Sequence, residues 1–593
     1  MSTFPCRPRS AFDVLMSNAY ESRTRKRKAP VEISQTSNFT VKKSDSNPIG
    51  GAHVKNSQVK ISPDESLVEL KKKAANFDVK RAVYWGEGEK VPFMFVVKAF
   101  DALLKESGRI AITEIVCNML RTVIETTPGD LLAVVCLLAN RIASPHQGLE
   151  LGLGDASIME ALAGACGADV NRIKKQYTDL GDLGLVAKAS RSSQPLMHKP
   201  EALTVAKVFD TFQLIAKESG RDSQRKKKNH IKALLVAATD SEPQYLIRLL
   251  QTKLRIGLAE RTLLTALGHA AVYSEKHSSP PGNVDNPLEE AAKIVKQVYS
   301  VIPVYDKMVP ALLSGGVWNL PKTCRCSPGI PVVLMLAKAA KGVSKVLEKF
   351  QNMEFTCEYK YDGERAQIHF MENGSVEIYS RNAERNTGKF PDVVAAVTRL
   401  KKPCIKSFVL DCELVAYDRE KQKILPFQVR TSCKLGFLLL TRARKNVVMN
   451  GIKVDVCIYA FDILYVNGQE LLQERLDVRR EHLYKSFREE QGFFQFATSI
   501  TSNDPKEIEQ FFDDAVNSSS EGLMMKTLKK AATYEPSKRS NNWLKLKKDY
   551  MDRYSDTISP DVWFEPTEVW EVKVADLTIH PVHRAAIGIV DPD

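Results

Sequence analysis

The chain has no apolar run long enough to cross a bilayer. Its longest, such as 131–139 and 435–440, fall far short of the roughly 20 residues that a membrane helix requires. The amino terminus lacks the apolar core of a signal peptide. Cysteine is scattered, eleven in 593 residues, and the closest pair, Cys324 and Cys326, has no second half to complete a zinc site. These absences argue against a membrane-spanning chain and a disulfide framework, and they fit a reducing intracellular compartment. No repeat of fixed period runs through the sequence. Neither G-x-x-x-x-G-K-[ST] nor G-x-G-x-x-G occurs, so a nucleotide, if one is bound, is not held by either glycine-rich loop.

What is present is positive charge. The net charge is +14 and the pI about 9.1, which favours a polyanionic partner, nucleic acid before an acidic membrane. Residues 1–60 carry eleven Lys/Arg against four Asp/Glu. Within them, Arg23-Thr-Arg-Lys-Arg-Lys28 is the kind of basic run read as a nuclear address. The Arg- and Ser-containing segment before it, RPRSAFDVLM, also fits an organellar transit peptide, so a mitochondrial or other organellar location is the alternative.

At 593 residues the chain divides into two to four domains. Residues 1–84 are rich in Ser, Lys, Asn and Pro with little periodicity, which predicts a disordered basic tail. From Val91 apolar residues recur at helical spacing, and Thr127 with Pro128 reads as a helix cap followed by a first-turn proline. An all-helical unit is therefore expected over 85–325. Within it QRKKKN, 224–229, reads as a solvated loop, and KLRIGL, 253–258, as an ordinary helix with a basic stripe or as a phosphate-binding element. Short alternating strands then take over, and a mixed α+β unit is expected over 326–550.

The chemistry concentrates in that second unit. In CEYKYDGERAQIHF, 357–370, a strand reading places Glu358, Lys360 and Asp362 on one face, and after the Gly363 turn puts Arg365, Gln367 and His369 on another. Lys-x-Asp-Gly alone is also readable as a surface hairpin. FVLDCELVAYD, 408–418, sets Asp411 and Glu413 on one face of an apolar strand, a costly arrangement without a cation or a partner base. EGLMMKTL opens with Glu521, and NNWLKLKKDY sets Lys545 and Lys547 opposite Leu544 and Leu546. A lysine attacks only as the free amine, and the cations Arg365, Lys545 and Lys547, with partial burial, are expected to lower the Lys360 pKa. The same cations suit a polyphosphate, and Glu413 with Glu521 offers hard oxygen ligands for magnesium. The set reads as nucleotidyl transfer through a lysine-linked intermediate.

From about Val91 to Tyr550 these motifs, together with ELGLGD, KLRIGLAE, SRNAERNTGKFPD and YAFDILYVNG, closely resemble the eukaryotic ATP-dependent DNA ligases of the ligase I type, within the lysine nucleotidyltransferase superfamily. The resemblance implies a helical DNA-binding domain, an adenylation domain and an OB-fold barrel. It implies nick sealing in replication, repair and recombination, with nicked duplex DNA and replication or repair proteins as partners and the chain acting as a monomer. Lys360 would take AMP from ATP and pass it to the 5′-phosphate of a nick, and the 3′-hydroxyl would then displace it. Glu358 would read the adenine amino group, Phe461 would stack on the ring, and Arg365 and Arg381 would hold ribose and phosphates. Glu413, also counted at the ATP site, and Glu521 would organise Mg²⁺, Lys545 and Lys547 would stabilise phosphate charge, and Lys253, Arg255 and the amide of Gly257 would meet DNA phosphates. Two rivals remain: a non-catalytic nick-binding protein, and an mRNA capping guanylyltransferase, which also uses Lys-x-Asp-Gly.

The sequence departs from the resemblance twice. An apolar stretch, VRTSCKLGFLLL at 429–440, intervenes before the basic TRARK segment. Only an OB-fold remnant is expected over 551–593, which implies weakened sealing.

Overall fold

The computed structural model describes residues 61–86, 88–190, 200–274, 284–425 and 447–548. The expected insertion at 429–440, the barrel remnant at 551–593 and the basic run at 23–28 lie outside the described residues.

Helices account for the regular structure from Pro63 to Thr323, as their apolar spacing predicts. Helix Arg109–Thr126 buries Ile112, Ile115, Val116, Met119, Leu120 and Val123, a 3- and 4-residue spacing that makes one stripe. It packs against helix Glu260–Tyr273, which in turn packs against helix Pro287–Val301. Residues 61–84 are folded, contrary to the expectation of a disordered tail over 1–84. Ser62 caps helix Pro63–Leu70 through a reciprocal capping box with Glu65. Leu70, Ala74, Phe77 and Val79 join the core of the helical unit, and the low periodicity of this stretch reflects short 3₁₀ turns at 74–76 and 79–81.

Two further expectations fail locally. Thr127 caps no helix with its side chain, because its hydroxyl accepts from the Trp85 indole at 3.2 Å and donates to the Glu89 carbonyl. The run 224–229 is not a loop but part of helix Ser223–Ala237. Lys227 is buried there and donates to the Leu151 carbonyl at 2.7 Å, so one lysine of the basic run serves packing.

Among the described residues twelve strands follow the helical unit: β1 (Leu336–Ala339), β2 (Phe355–Tyr359), β3 (Glu364–Phe370), β4 (Val376–Ser380), β5 (Phe408–Asp418), β6 (Lys423–Ile424), β7 (Asp455–Val466), β8 (Gln469–Glu470), β9 (Phe494–Phe496), β10 (Ser499–Ile500), β11 (Gly522–Thr527) and β12 (Arg539–Lys547). They form two sheets, ordered β1-β12-β11-β2-β10 and β4-β3-β5-β7-β8, with β6 on β5 and β9 on β7. Among the described residues no closed barrel is found.

Period-two alternation gives each sheet an apolar face and a polar one. In the first sheet, Phe355, Cys357, Leu523, Met525, Leu544 and Leu546 pack on Ile508 and Phe512 of helix Pro505–Asn517. Their alternates Glu358, Met524, Lys526, Trp543, Lys545 and Lys547 line a cleft. In the second sheet, Leu410, Cys412, Leu414 and Ala416 enter the core beneath helix Pro391–Leu400. Glu413 of β5, Arg365 of β3 and Phe461 of β7 face the same cleft. The polar faces of the two sheets thus enclose one site.

Candidate active site

Strand β2 ends at Tyr359, so Lys360 and Asp362 sit in the turn beyond it rather than on its face. Two backbone bonds fix that turn to the head of β11: Lys360 N donates to Gly522 O at 2.9 Å, and Glu521 N donates to Lys360 O at 2.8 Å. Both neighbouring glycines are required by contact. A Cβ on Gly363 would lie 2.4 Å from the Leu414 carbonyl oxygen. At Gly522, with φ +137°, a Cβ would lie 2.2 Å from the Leu546 carbonyl oxygen.

This backbone pairing brings the Lys360 amine against the Glu521 carboxylate, which also accepts from Lys547 Nζ at 2.8 Å. The expected ring of cations around Lys360 is therefore not what the amine meets first. Its immediate neighbour is an anion, because the register of β2 and β11 sets the two residues side by side. Burial alone would raise the Glu521 carboxyl, but the charges of Lys360 and Lys547 hold it below its ordinary value. Among the described residues Glu413 has no ion pair as close. Burial pushes it up to about 8, although Lys360 and Arg365 work against the rise. Burial, and after it the charge of Glu521, lifts Asp362 to about 6.

Arg365 is held on every side. Its Nε and Nη2 donate to the two oxygens of Asp411 at 3.1 and 2.8 Å, and Nη1 donates to Met335 O at 2.9 Å. Tyr534 Oη donates to the same Asp411 at 2.9 Å and accepts from Met335 N at 3.1 Å. The cation required to offset the buried Asp411 is thus supplied from the next strand. Gln367 and His369 share the face of Arg365 but not its site: they bond the backbone of Val332 and Gly329 and are structural.

Glu358, Lys360, Arg365, Arg381, Glu413, Phe461, Glu521, Lys545 and Lys547, the residues expected at the nucleotide site, all line this one cleft of about 380 Å³. The volume falls in the range of ligand pockets. Lys526 and Trp543, which also line it, were not expected there as functional groups. Lys526 Nζ sits 4.4 Å from the ring centroids of both Phe461 and Trp543. The signal for it was available, since Met524 and Lys526 alternate with the buried Leu523 and Met525. No such signal marks Arg480, which reaches Glu358 from a helix 122 residues downstream.

In the helical unit KLRIGL is neither a helix nor a stripe. It lies in the connection between helices Glu242–Leu250 and Glu260–Tyr273. Lys253, Arg255 and Gly257 are exposed there, and Arg255 (φ 54°) and Gly257 (φ 70°) take left-handed backbone. Asp182 anchors the connection. It caps helix Leu183–Ala189, takes a two-pronged bond from the buried Arg248 and meets Arg255 at 3.4 Å.

Comparison with known proteins matches both regions. Residues 334–547 fit the family model described as ATP dependent DNA ligase domain, and residues 92–268 that described as DNA ligase N terminus. DNA ligase 1 of Arabidopsis thaliana is 58% identical over 597 residues, covering 88% of this chain and 74% of that protein. DNA ligase 1 of Schizosaccharomyces pombe is 39% identical, covering 84% and 74%. Among solved structures, mycobacterial DNA ligase D complexed with ATP and MES aligns at a TM-score of 0.27 with 21% identity, over 36% of this chain and 60% of that one, a likeness too partial to add to the sequence relatives. The capping-enzyme alternative is set aside by these matches. The chain belongs to the family of ATP-dependent DNA ligases, and its activity is the ATP-dependent sealing of nicks in duplex DNA.

Proposed function

We propose that Lys360 Nζ is the nucleophile of this ligase. A bond forms from Nζ to the α-phosphorus of ATP, the bond from that phosphorus to the α,β-bridging oxygen breaks, and pyrophosphate leaves with the electron pair. The ammonium first gives up a proton, for which the Glu521 carboxylate against it is the acceptor in reach. AMP then passes to the 5′-phosphate of the nick, and the 3′-hydroxyl displaces it.

Glu358 reads the adenine amino group and Phe461 stacks on the base. Arg365 and Arg381 face the ribose and phosphates, and Lys545 with Lys547 offsets the charge that develops on them. Magnesium suits the donors present. Glu413 and Glu521 bring hard oxygens into a buried site already crowded with acids, and Mg²⁺ is ordinarily held by one or two carboxylates together with substrate phosphates. Bound there, it would supply charge stabilisation to the phosphates. Lys253, Arg255 and Gly257 present cations and an amide to the DNA backbone. The chain acts as a monomer in the nucleus, with replication or repair proteins as partners.

The observation that carries this reading is the contact of Lys360 with Glu521 inside the cleft that the other nucleotide-site residues line. Incubation with ATP and Mg²⁺ followed by intact-mass analysis is expected to find one AMP adduct, lost in Lys360→Ala. An adduct that survives the substitution overturns the assignment. Duplex binding with no adduct in the unsubstituted protein would identify the non-catalytic alternative.

A further inference from the structure

Helix Leu476–Ser486 carries two adjacent arginines that reach opposite sheets. Arg479 is fully buried and fixes the helix to the second sheet. Its Nε and Nη2 bond both oxygens of Asp462 on β7 at 2.7 and 2.8 Å, and its Nη1 bonds the carbonyls of Glu474 and Ala532. Arg480, anchored by its neighbour, crosses to β2 of the first sheet. One arm bonds Glu358 Oε1 and the other donates to Thr356 Oγ1 at 3.2 Å. Thr356 is itself pinned, its hydroxyl donating to Ile500 O at 3.1 Å. Because Thr356 and Glu358 lie two apart on one strand face, the planar guanidinium spans them both.

Glu358 is thereby fixed from two sides. Lys526 Nζ holds Oε2 at 2.7 Å, and Lys526 is in turn placed between the Phe461 and Trp543 rings. A carboxylate retains free acceptor positions when each oxygen carries one donor. With two cations on it, it is an acceptor only. Such a group accepts from an exocyclic amine and repels a carbonyl at the same position. Of the two cations, Lys526 lines the cleft and Arg480 does not. Arg480 acts on the ligand only through Glu358.

We propose that Arg480 is a positioning residue for base recognition, holding the Glu358 carboxylate aimed at the 6-amino group of ATP and so setting the preference for adenine over 6-oxo purines. The inference rests on the reading of Glu358 given above. Loss of Arg480 leaves Glu358 paired with Lys526 alone, free to swing toward it and away from the base.

The test compares ATP with purine riboside triphosphate, which lacks a 6-substituent, and with ITP, which carries a 6-oxo group, in adduct formation by the full chain with Mg²⁺. In Arg480→Gln the KM for ATP is expected to rise about tenfold, as for loss of a charge-assisted hydrogen bond, while the KM for purine riboside triphosphate moves less than about twofold and discrimination against ITP narrows. Arg480→Lys keeps the charge without the second arm, and it is expected to restore most of the ATP preference while remaining fully folded by thermal melting. Equal rises for ATP and purine riboside triphosphate in Arg480→Gln, or no rise for either there, would overturn the proposal, and so would equal rises for the two in Arg480→Lys if only that variant folds. Glu358→Gln separates the two layers: if it leaves the ratio of the two KM values at its wild-type level, the reading of Glu358 itself fails, whatever Arg480 does.

Discussion

The cleft between the sheets and the basic turn of the helical unit both gather cations, and they hold them in opposite ways. In the cleft Arg365 and Lys526, and behind it Arg480, are largely buried and each is bonded to a carboxylate, Asp411 or Glu358. In the turn Lys253 and Arg255 are exposed, and Asp182 supports the connection from beneath. The difference follows from the ligands. A nucleotide is desolvated and read atom by atom, so the charges that meet it are paired and oriented beforehand. A DNA backbone presents one repeated charge in water, and cations that meet it need exposure more than fixed geometry.

The sharpest way to break this comparison is at its chemical end. Lys360→Ala is expected to lower adduct formation and nick sealing by at least about a thousandfold, the scale of removing a covalent nucleophile. Lys253→Ala is expected to leave adduct formation in the absence of DNA at the level of the unsubstituted protein. Gel-shift of labelled AMP on the denatured protein checks both, and loss of adduct in the Lys253 variant would mean that the two regions are not separable in this way.

Next in size is the buried pairing itself. Arg479→Met removes the partner of Asp462 where both side chains are fully buried, and an unpaired buried charge costs about 3–5 kcal/mol. Urea unfolding is expected to show a loss of that order. Truncating an exposed pair such as Lys485–Glu481 is expected to leave the urea midpoint nearly unchanged, because solvent screens the two charges.

Much of the cleft was legible because strands alternate. Glu413, Lys545 and Lys547 were placed by counting in twos from the apolar core residues Leu414, Leu544 and Leu546, and the same count would have found Lys526. Legibility ended where partners come from distant elements. The Lys360–Glu521 contact spans 161 residues, and the Arg365–Asp411 clamp depends on the pairing of β3 with β5. One-sequence periodicity says which face a side chain takes but not which strand lies beside it, so the expectation of cations around Lys360 missed the anion there. In the helical unit the failures were of another kind. Lys227 and Thr127 look like surface and cap residues by type, and tertiary hydrogen bonds claimed both.

A smaller effect comes from pH. Burial lowers His369 to about 3 from an ordinary 6.5, with the nearby His146 adding to the shift. The folded state refuses a proton that the unfolded chain binds below pH 6.5, so the stability contributed by neutral His369 is full above pH 6.5 and is lost as pH falls toward 3. The slope from this one group is at most about 1.4 kcal/mol per pH unit. In His369→Asn, whose amide oxygen can replace Nδ1 as acceptor for Gly329 N, urea midpoints between pH 6.5 and 4 are expected to fall less steeply than in the unsubstituted protein.

The smallest effect discriminates best between the two regions. Each exposed cation that neutralises one phosphate of duplex DNA contributes about 0.9 to the slope of log affinity against log salt. Lys253→Ala is therefore expected to reduce that slope by about one and to weaken binding of nicked duplexes of different sequence equally, because a backbone contact reads no base. Arg480→Gln, which alters a buried group bonded to Glu358 and Thr356, is expected to leave the slope at its wild-type value while shifting nucleotide preference. Measured by fluorescence anisotropy across a salt series, the two variants should move different observables. A change of salt slope in the Arg480 variant would show that the cleft's cations also face the DNA backbone, and the contrast between paired and exposed cations would then lose its physical basis.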